Sequence, residues 1–155
     1  MNTQNELIAQ AIAQCQSIAS AMQAADPDSW EKLEALHDEG DKTPEQIEEL
    51  QELGDALSGF DDADDAEQRI YELPLSVEVR SGWHTPGEES TPGEFRVVLC
   101  TGGPHVELLG ELDHNGEPCR VWVAARDWGQ YIDDVSECRD YAGTLLAFAQ
   151  RLIAA

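Results

Sequence analysis

The stretch FRVVLCTGGPHVELLGELDHNGEPCRVWVAARDW, Phe95 to Trp128, holds three apolar runs separated by two turn signals. FRVVLCT, HVELLGEL and CRVWVAARDW have the β-branched and aliphatic content of strands. GGP separates the first two. DHNGEP separates the last two and contains Asn115-Gly116, the strongest short hairpin signal. Upstream, LSVEVRS alternates, with Leu75, Val77 and Val79 expected inward and Ser76, Glu78 and Arg80 outward. GWHTPGEESTPGE, between that strand and the next, is a Pro/Gly loop. Consecutive strands with short connections predict a four-stranded antiparallel meander, one face of which helices must cover.

The flanking sequence supplies those helices. Cys138, Tyr141, Ala142, Leu145, Phe148, Ala149 and Leu152 recur at helical spacing and predict a C-terminal helix. Leu7, Ile8, Ala11, Ile12, Cys15, Ile18, Ala19 and Met22 predict an N-terminal one over about 5–25. DPDSWEKLEALHDEG predicts a second, capped by Asp28 or Ser29 and stopped by Gly40. TPEQIEELQELGDAL predicts a third, with Thr43 at the N-cap, Pro44 at the first position and Gln46 completing a capping box. Its apolar stripe is Ile47, Leu50, Leu53, Ala56 and Leu57. FDDADDAEQRIYEL predicts a short fourth helix from Asp62 to about Glu72, its aspartates favoured by the positive end of the helix dipole. The fold class is α+β: a single domain over 1–155, with an acidic helical part over 1–73 and a sheet plus C-terminal helix over 74–155.

Charge is the outlier. The 155 residues include 32 acidic and 9 basic side chains, a formal net charge of −23, against a magnitude of about 2–8 for an ordinary small domain. Such a chain lacks the Lys/Arg surface for direct binding to nucleic acid or an anionic membrane. No apolar run approaches the ~18 residues of a membrane span, and MNTQNELIAQAIAQCQSIAS has no basic residue to begin a signal peptide. A cytoplasmic protein is expected, with Cys15, Cys100, Cys119 and Cys138 as reduced, mostly buried thiols.

Catalytic and metal signatures are thin. Numbered from Asp61, a calcium loop has its Glu72 at position twelve but Ala63 at three and Ala66 where glycine is required. Zinc ligand types occur without paired spacing. There is no GxSxG, and CTGGPH lies between strands without a lysine, so it makes no phosphate cradle. Neither a catalytic residue, a metal site nor a cofactor is expected. Trp122 falls in phase with Arg120 and Arg126, opposite Val121 and Val123; Trp and Arg together typify interface anchors. The other reading of Trp122 is a second layer of core under a helix.

Asp26 to Glu72 contains 18 acidic and 3 basic residues in 47 positions. Laid out as helix, that is a carboxylate every ~4 Å, close to the ~3.4 Å phosphate spacing of one DNA strand. Ordered, such a surface could occupy a basic groove meant for nucleic acid.

LSVEVRSGW through EFRVVLCTGGPHVELLGELDHNGEPCRVWVAARDWG, residues 75–129, resembles a family of small proteins encoded by bacteriophages, prophages and other mobile elements. The shared pattern is a VEVRSGW strand, a TGGP turn, a GxL strand, a GxP hairpin and a terminal DWG. Ala125-Arg126 departs from it, standing where Tyr-Gln is expected. The resemblance brings no catalytic residues. It implies mobile-element context, in which small acidic proteins often disarm host defences, some as DNA mimics of the anti-restriction or anti-CRISPR type. The expected function is therefore a non-enzymatic inhibitor of a host nucleic-acid-binding defence complex with a basic groove. Its expected contact residues are Glu45, Glu48, Glu49, Glu52, Asp61, Asp62, Asp64 and Asp65, with Trp122 and Arg126 as a second contact. The alternative is an interaction module of phage or mobile-element housekeeping that binds through the sheet face. A homodimer is compatible with either.

Overall fold

Five antiparallel strands follow one another across the sheet in chain order, β1 (Ser76–Ser81), β2 (Pro92–Cys100), β3 (His105–Leu112), β4 (Pro118–Asp127) and β5 (Gln130–Ile132). The computed structural model describes residues 3–153. The meander holds, but it has one strand more than the four expected. The addition, β5, is three residues long and pairs Gln130 with Asp127 and Ile132 with Ala125. The helices are α1 (Gln4–Ala24), α2 (Pro27–Asp38), α3 (Pro44–Leu57), α4 (Ala63–Glu72) and α5 (Ala142–Ile153), the last entered through a 3-10 turn over Ser136–Tyr141.

The chain groups into two units. One comprises the chain up to Ile18 together with the chain from Leu73; the other runs from Ala19 to Glu72. In the first, cross-strand register puts Phe95, Val97, Leu108 and Val123 on one face of the sheet, and all four are buried. α5 packs on β4, its Leu145 meeting Val121 and Val123 around a void of only about 20 Å³. Gln150 donates to the Pro118 carbonyl oxygen at 3.1 Å. Cys15 on α1 and Cys138 in the 3-10 turn are buried free thiols, and the neighbouring Cys138 together with burial pushes the Cys15 thiol pKa up.

Leu75, Val77 and Val79 depart from expectation. They lie on that same face but remain 61%, 42% and 49% exposed, because β1 is the outer strand and nothing described covers it. The opposite face carries charged cross-strand pairs: Arg96 donates to Glu78 at 2.8 Å, Arg80 to Glu94, and Arg120 to Glu111 at 3.2 Å. Each joins residues directly opposite on neighbouring strands, where unlike charges favour the register.

In the second unit the capping box of α3 forms as expected, with Gln46 N–H donating to Thr43 Oγ1 and Thr43 N–H to Gln46 Oε1. The cap of α2 is Asp26, two or three residues earlier than expected. Pro27 takes the first helical position, where its missing N–H costs nothing, so the residue before it must cap. Leu36, Leu53, Leu57 and Ala66 bury around Ala24, with Trp30 and Phe60 against them. Ile47, expected in that stripe, is exposed. The indole N–H of Trp30 donates at 2.7 Å to the Ala24 carbonyl, one of the acceptors left open where α1 ends.

Candidate functional site

Sixteen of the eighteen carboxylate residues between Asp26 and Glu72 are exposed; Glu49 and Asp65 are half-buried. α3 places Leu53 and Leu57 inward, which leaves Glu45, Glu48 and Glu52 in solvent. Glu49 pairs with Lys32 of α2, and beside that pair Glu49 and Glu52 line an open hollow of about 390 Å³ with Asp26 and Asp28.

The aspartates that open α4 divide into two kinds. Asp62 is its N-cap, Oδ1 accepting the Asp65 N–H at 2.7 Å. Asp65 reaches back, Oδ2 accepting the Asp61 N–H at 3.0 Å, and also meets Arg69 at 3.7 Å. Those two carboxylates satisfy backbone donors that a helix start leaves open. Asp61 and Asp64 have exposed carboxylates with no such partner among the described residues. A calcium loop cannot form here, because Ala63–Glu72 is helix.

All three cations of this unit are engaged within it. Lys32 pairs with Glu49, Lys42 donates to the Glu39 carbonyl at 2.7 Å, and Arg69 combines Asp65 with a place over the Phe60 ring. Only Glu49 and Asp65 of the eighteen pair with a Lys or Arg among the described residues; the others face solvent without such a partner, on helices held by a packed core.

A second cluster forms where TGGP and DWG meet. Gly103 permits the approach: a Cβ there would stand 3.2 Å from Asp127 Oδ1 and 3.6 Å from Trp128 Nε1. Gly102 has φ +97°, and the Gly103–Pro104 peptide is cis. Asp127 is buried, and a hollow of about 340 Å³ opens among Gly102, His105, Arg126, Trp128 and Tyr131. His105 Nε2 lies 3.0 Å from Glu107 Oε2, both largely buried.

Trp128 and Gly129 make the turn between β4 and β5, with φ +44° and +85°. Two successive positive φ values are the type I′ pattern that suits a two-residue hairpin. Trp128 is the one non-glycine at positive φ among the described residues, where a bulky side chain costs roughly 1–2 kcal/mol. Its indole is nonetheless 84% exposed. The edge of the indole at Nε1 faces Gly103, and the rest of the ring stands in solvent.

Arg126 stands opposite His105 on one side and Tyr131 on the other. Arg80, Arg96 and Arg120 each pair with a glutamate; Arg126, exposed, has no such partner among the described residues. Trp122 proves less available. It is half-buried, with the Arg120 guanidinium 5.1 Å from its ring centroid. The exposed Trp–Arg pair is Trp128 with Arg126, and Tyr131 joins it, 59% exposed. The sequence marks Trp128 only as an aromatic at the end of the last strand and gives Tyr131 no signal, because strand phase says nothing about side chains in and beyond a tight turn.

Among the described residues no three His, Cys, Asp or Glu side chains are arranged to hold a metal ion, and no helix is long and apolar enough to cross a membrane. Comparison with protein-family models, with curated proteins and with solved structures returns no match.

Proposed function

We propose that the protein is a non-enzymatic inhibitor of a host nucleic-acid-binding defence complex. In this reading the exposed carboxylates of residues 26–72 occupy the complex's basic groove in place of DNA. The observation that supports it most is the unbalanced charge on a packed helical support: sixteen exposed acids, with every cation of the unit already engaged. A partner's Lys/Arg groove would supply the missing counter-charge and gain a fast, steered encounter. The resemblance of residues 75–129 to mobile-element proteins is the reason for choosing a defence complex as the target.

The test is capture from host lysate at about 50 and 200 mM salt, with mass spectrometry of the retained proteins and competition by duplex DNA. The expected result is a nucleic-acid-binding complex held at low salt, released at high salt and displaced by DNA. Reversing Glu45, Glu48, Glu52, Asp61 and Asp64 to lysine then abolishes inhibition while leaving the circular dichroism spectrum unchanged. Full inhibition by the lysine variant overturns the electrostatic mechanism.

A housekeeping interaction module is the second reading, favoured by Trp128. An exposed tryptophan held at positive φ beside Arg126 and Tyr131 has interface-anchor composition. Binding of this kind would change little with salt and would be lost in Trp128→Gly.

A further inference from the structure

We propose that two copies of the chain pair antiparallel through β1, about a two-fold axis at Val79. Among the described residues no strand occupies the outer side of β1, and every residue of it after Ser76 is exposed. Natural sheets blunt such edges with lysine, proline, bulges or covering elements. Here Pro74 precedes the strand and the register shifts only at Arg80–Ser81, which leaves Ser76 to Arg80 regular. Val77 and Val79 present an apolar row along this open edge.

Charge selects the register. A two-fold perpendicular to the sheet keeps each face continuous, so the axis must fall on a residue. Centred on Glu78 or Arg80, it would set that charge against its own copy. Centred on Val77, it would set Glu78 against Ser76 and leave Arg80 without an acid. Centred on Val79, it brings Glu78 opposite Arg80 of the second copy, twice, with no like pair. Within each chain Glu78 already meets Arg96 and Arg80 meets Glu94. The seam therefore continues an existing alternation: Arg96, Glu78, then Arg80 and Glu94 of the second copy. On the other face the exposed Val79 meets Val79 of the second copy. The main-chain edge supplies hydrogen bonds, and the charges fix which ones form.

Sedimentation velocity of the full chain, from about 1 to 200 μM in about 0.15 M salt, tests the pairing. One strand per copy is a small interface, so association in the micromolar range is expected. Glu78→Arg and Arg80→Glu each create two like-charge contacts and should weaken self-association about tenfold or more. An equimolar mixture of those two variants should recover the dimer, because each altered position then meets its opposite. Val79→Asp, which touches none of the ion pairs, places two carboxylates at the axis and should leave a monomer. Circular dichroism checks that each variant is folded, and Val79→Asp alone suffices if either charge variant is not. A native chain that stays monomeric overturns the proposal, as does a Val79→Asp chain that dimerises like the native one. If both charge variants fold and their mixture stays monomeric, the register is wrong.

Discussion

Phe95 lies against the bare α-carbon of Gly110, its cross-strand partner. A Cβ on Gly110 would stand 2.3 Å from two atoms of that ring and 2.1 Å from the Arg120 carbonyl oxygen. The first neighbour is an anchored core side chain and the second is backbone, so neither gives way cheaply. Gly110→Ala should therefore destabilise the sheet unit by about 3 kcal/mol. Phe95→Ala should cost about 3–5 kcal/mol through the cavity it leaves. Urea denaturation measures both. A near-neutral Gly110→Ala would mean that the ring is not seated there.

The acids at the start of α4 should separate by role. Asp62→Ala removes the N-cap and should cost about 1 kcal/mol. Asp64→Ala should stay within about 0.5 kcal/mol, as expected of an exposed position with no partner. Thermal unfolding of the two variants distinguishes a structural carboxylate from a surplus one.

Trp128→Asn replaces a residue strained at positive φ with one that tolerates it, and creates Asn-Gly in a type I′ turn. Stability should rise by roughly 0.5–1 kcal/mol, seen as a higher melting temperature. If the turn is a contact surface, the same change weakens binding, so that stability and function move in opposite directions.

Asp113 offers a pH signature. The N–H of Glu117 donates to its carboxylate at 3.0 Å, and that of Asn115 at 2.9 Å. These bonds, Glu117 first, hold its pKa below the ordinary 3.8. The lowered value means that its contribution is complete above the ordinary value and is lost as pH falls through the lowered one. Carboxyl NMR titration should give a midpoint under 3.8. A midpoint at or above it would mean the turn is open in solution.

Much of the fold is visible in the residues themselves. Thr43, Pro44 and Gln46 announce α3 because a capping box is local chemistry, complete within four positions. β5 is not visible, since Gln130 to Ile132 is too short to show a period and its turn places tryptophan where asparagine or glycine is expected. Conversely, Asn115-Gly116 sits in a longer loop: only Gly116 is at positive φ, and Asp113 closes on Glu117 around three residues. The inward phase of Val77 and Val79 is right for their face, yet phase cannot say which strand lies at the edge. For the candidate site, Arg126 was marked by its phase. The meeting of TGGP with DWG was not, because it depends on two turns that are neighbours only after the meander forms.

The four indoles occupy unequal surroundings. Trp83 and Trp128 stand in water, while Trp30 and Trp122 are half-covered. The native emission therefore already contains a red-shifted, readily quenched component from chromophores that unfolding will hardly alter. Intrinsic fluorescence will understate the loss of structure, and the far-ultraviolet signal of the five helices becomes the more faithful optical reporter of this chain.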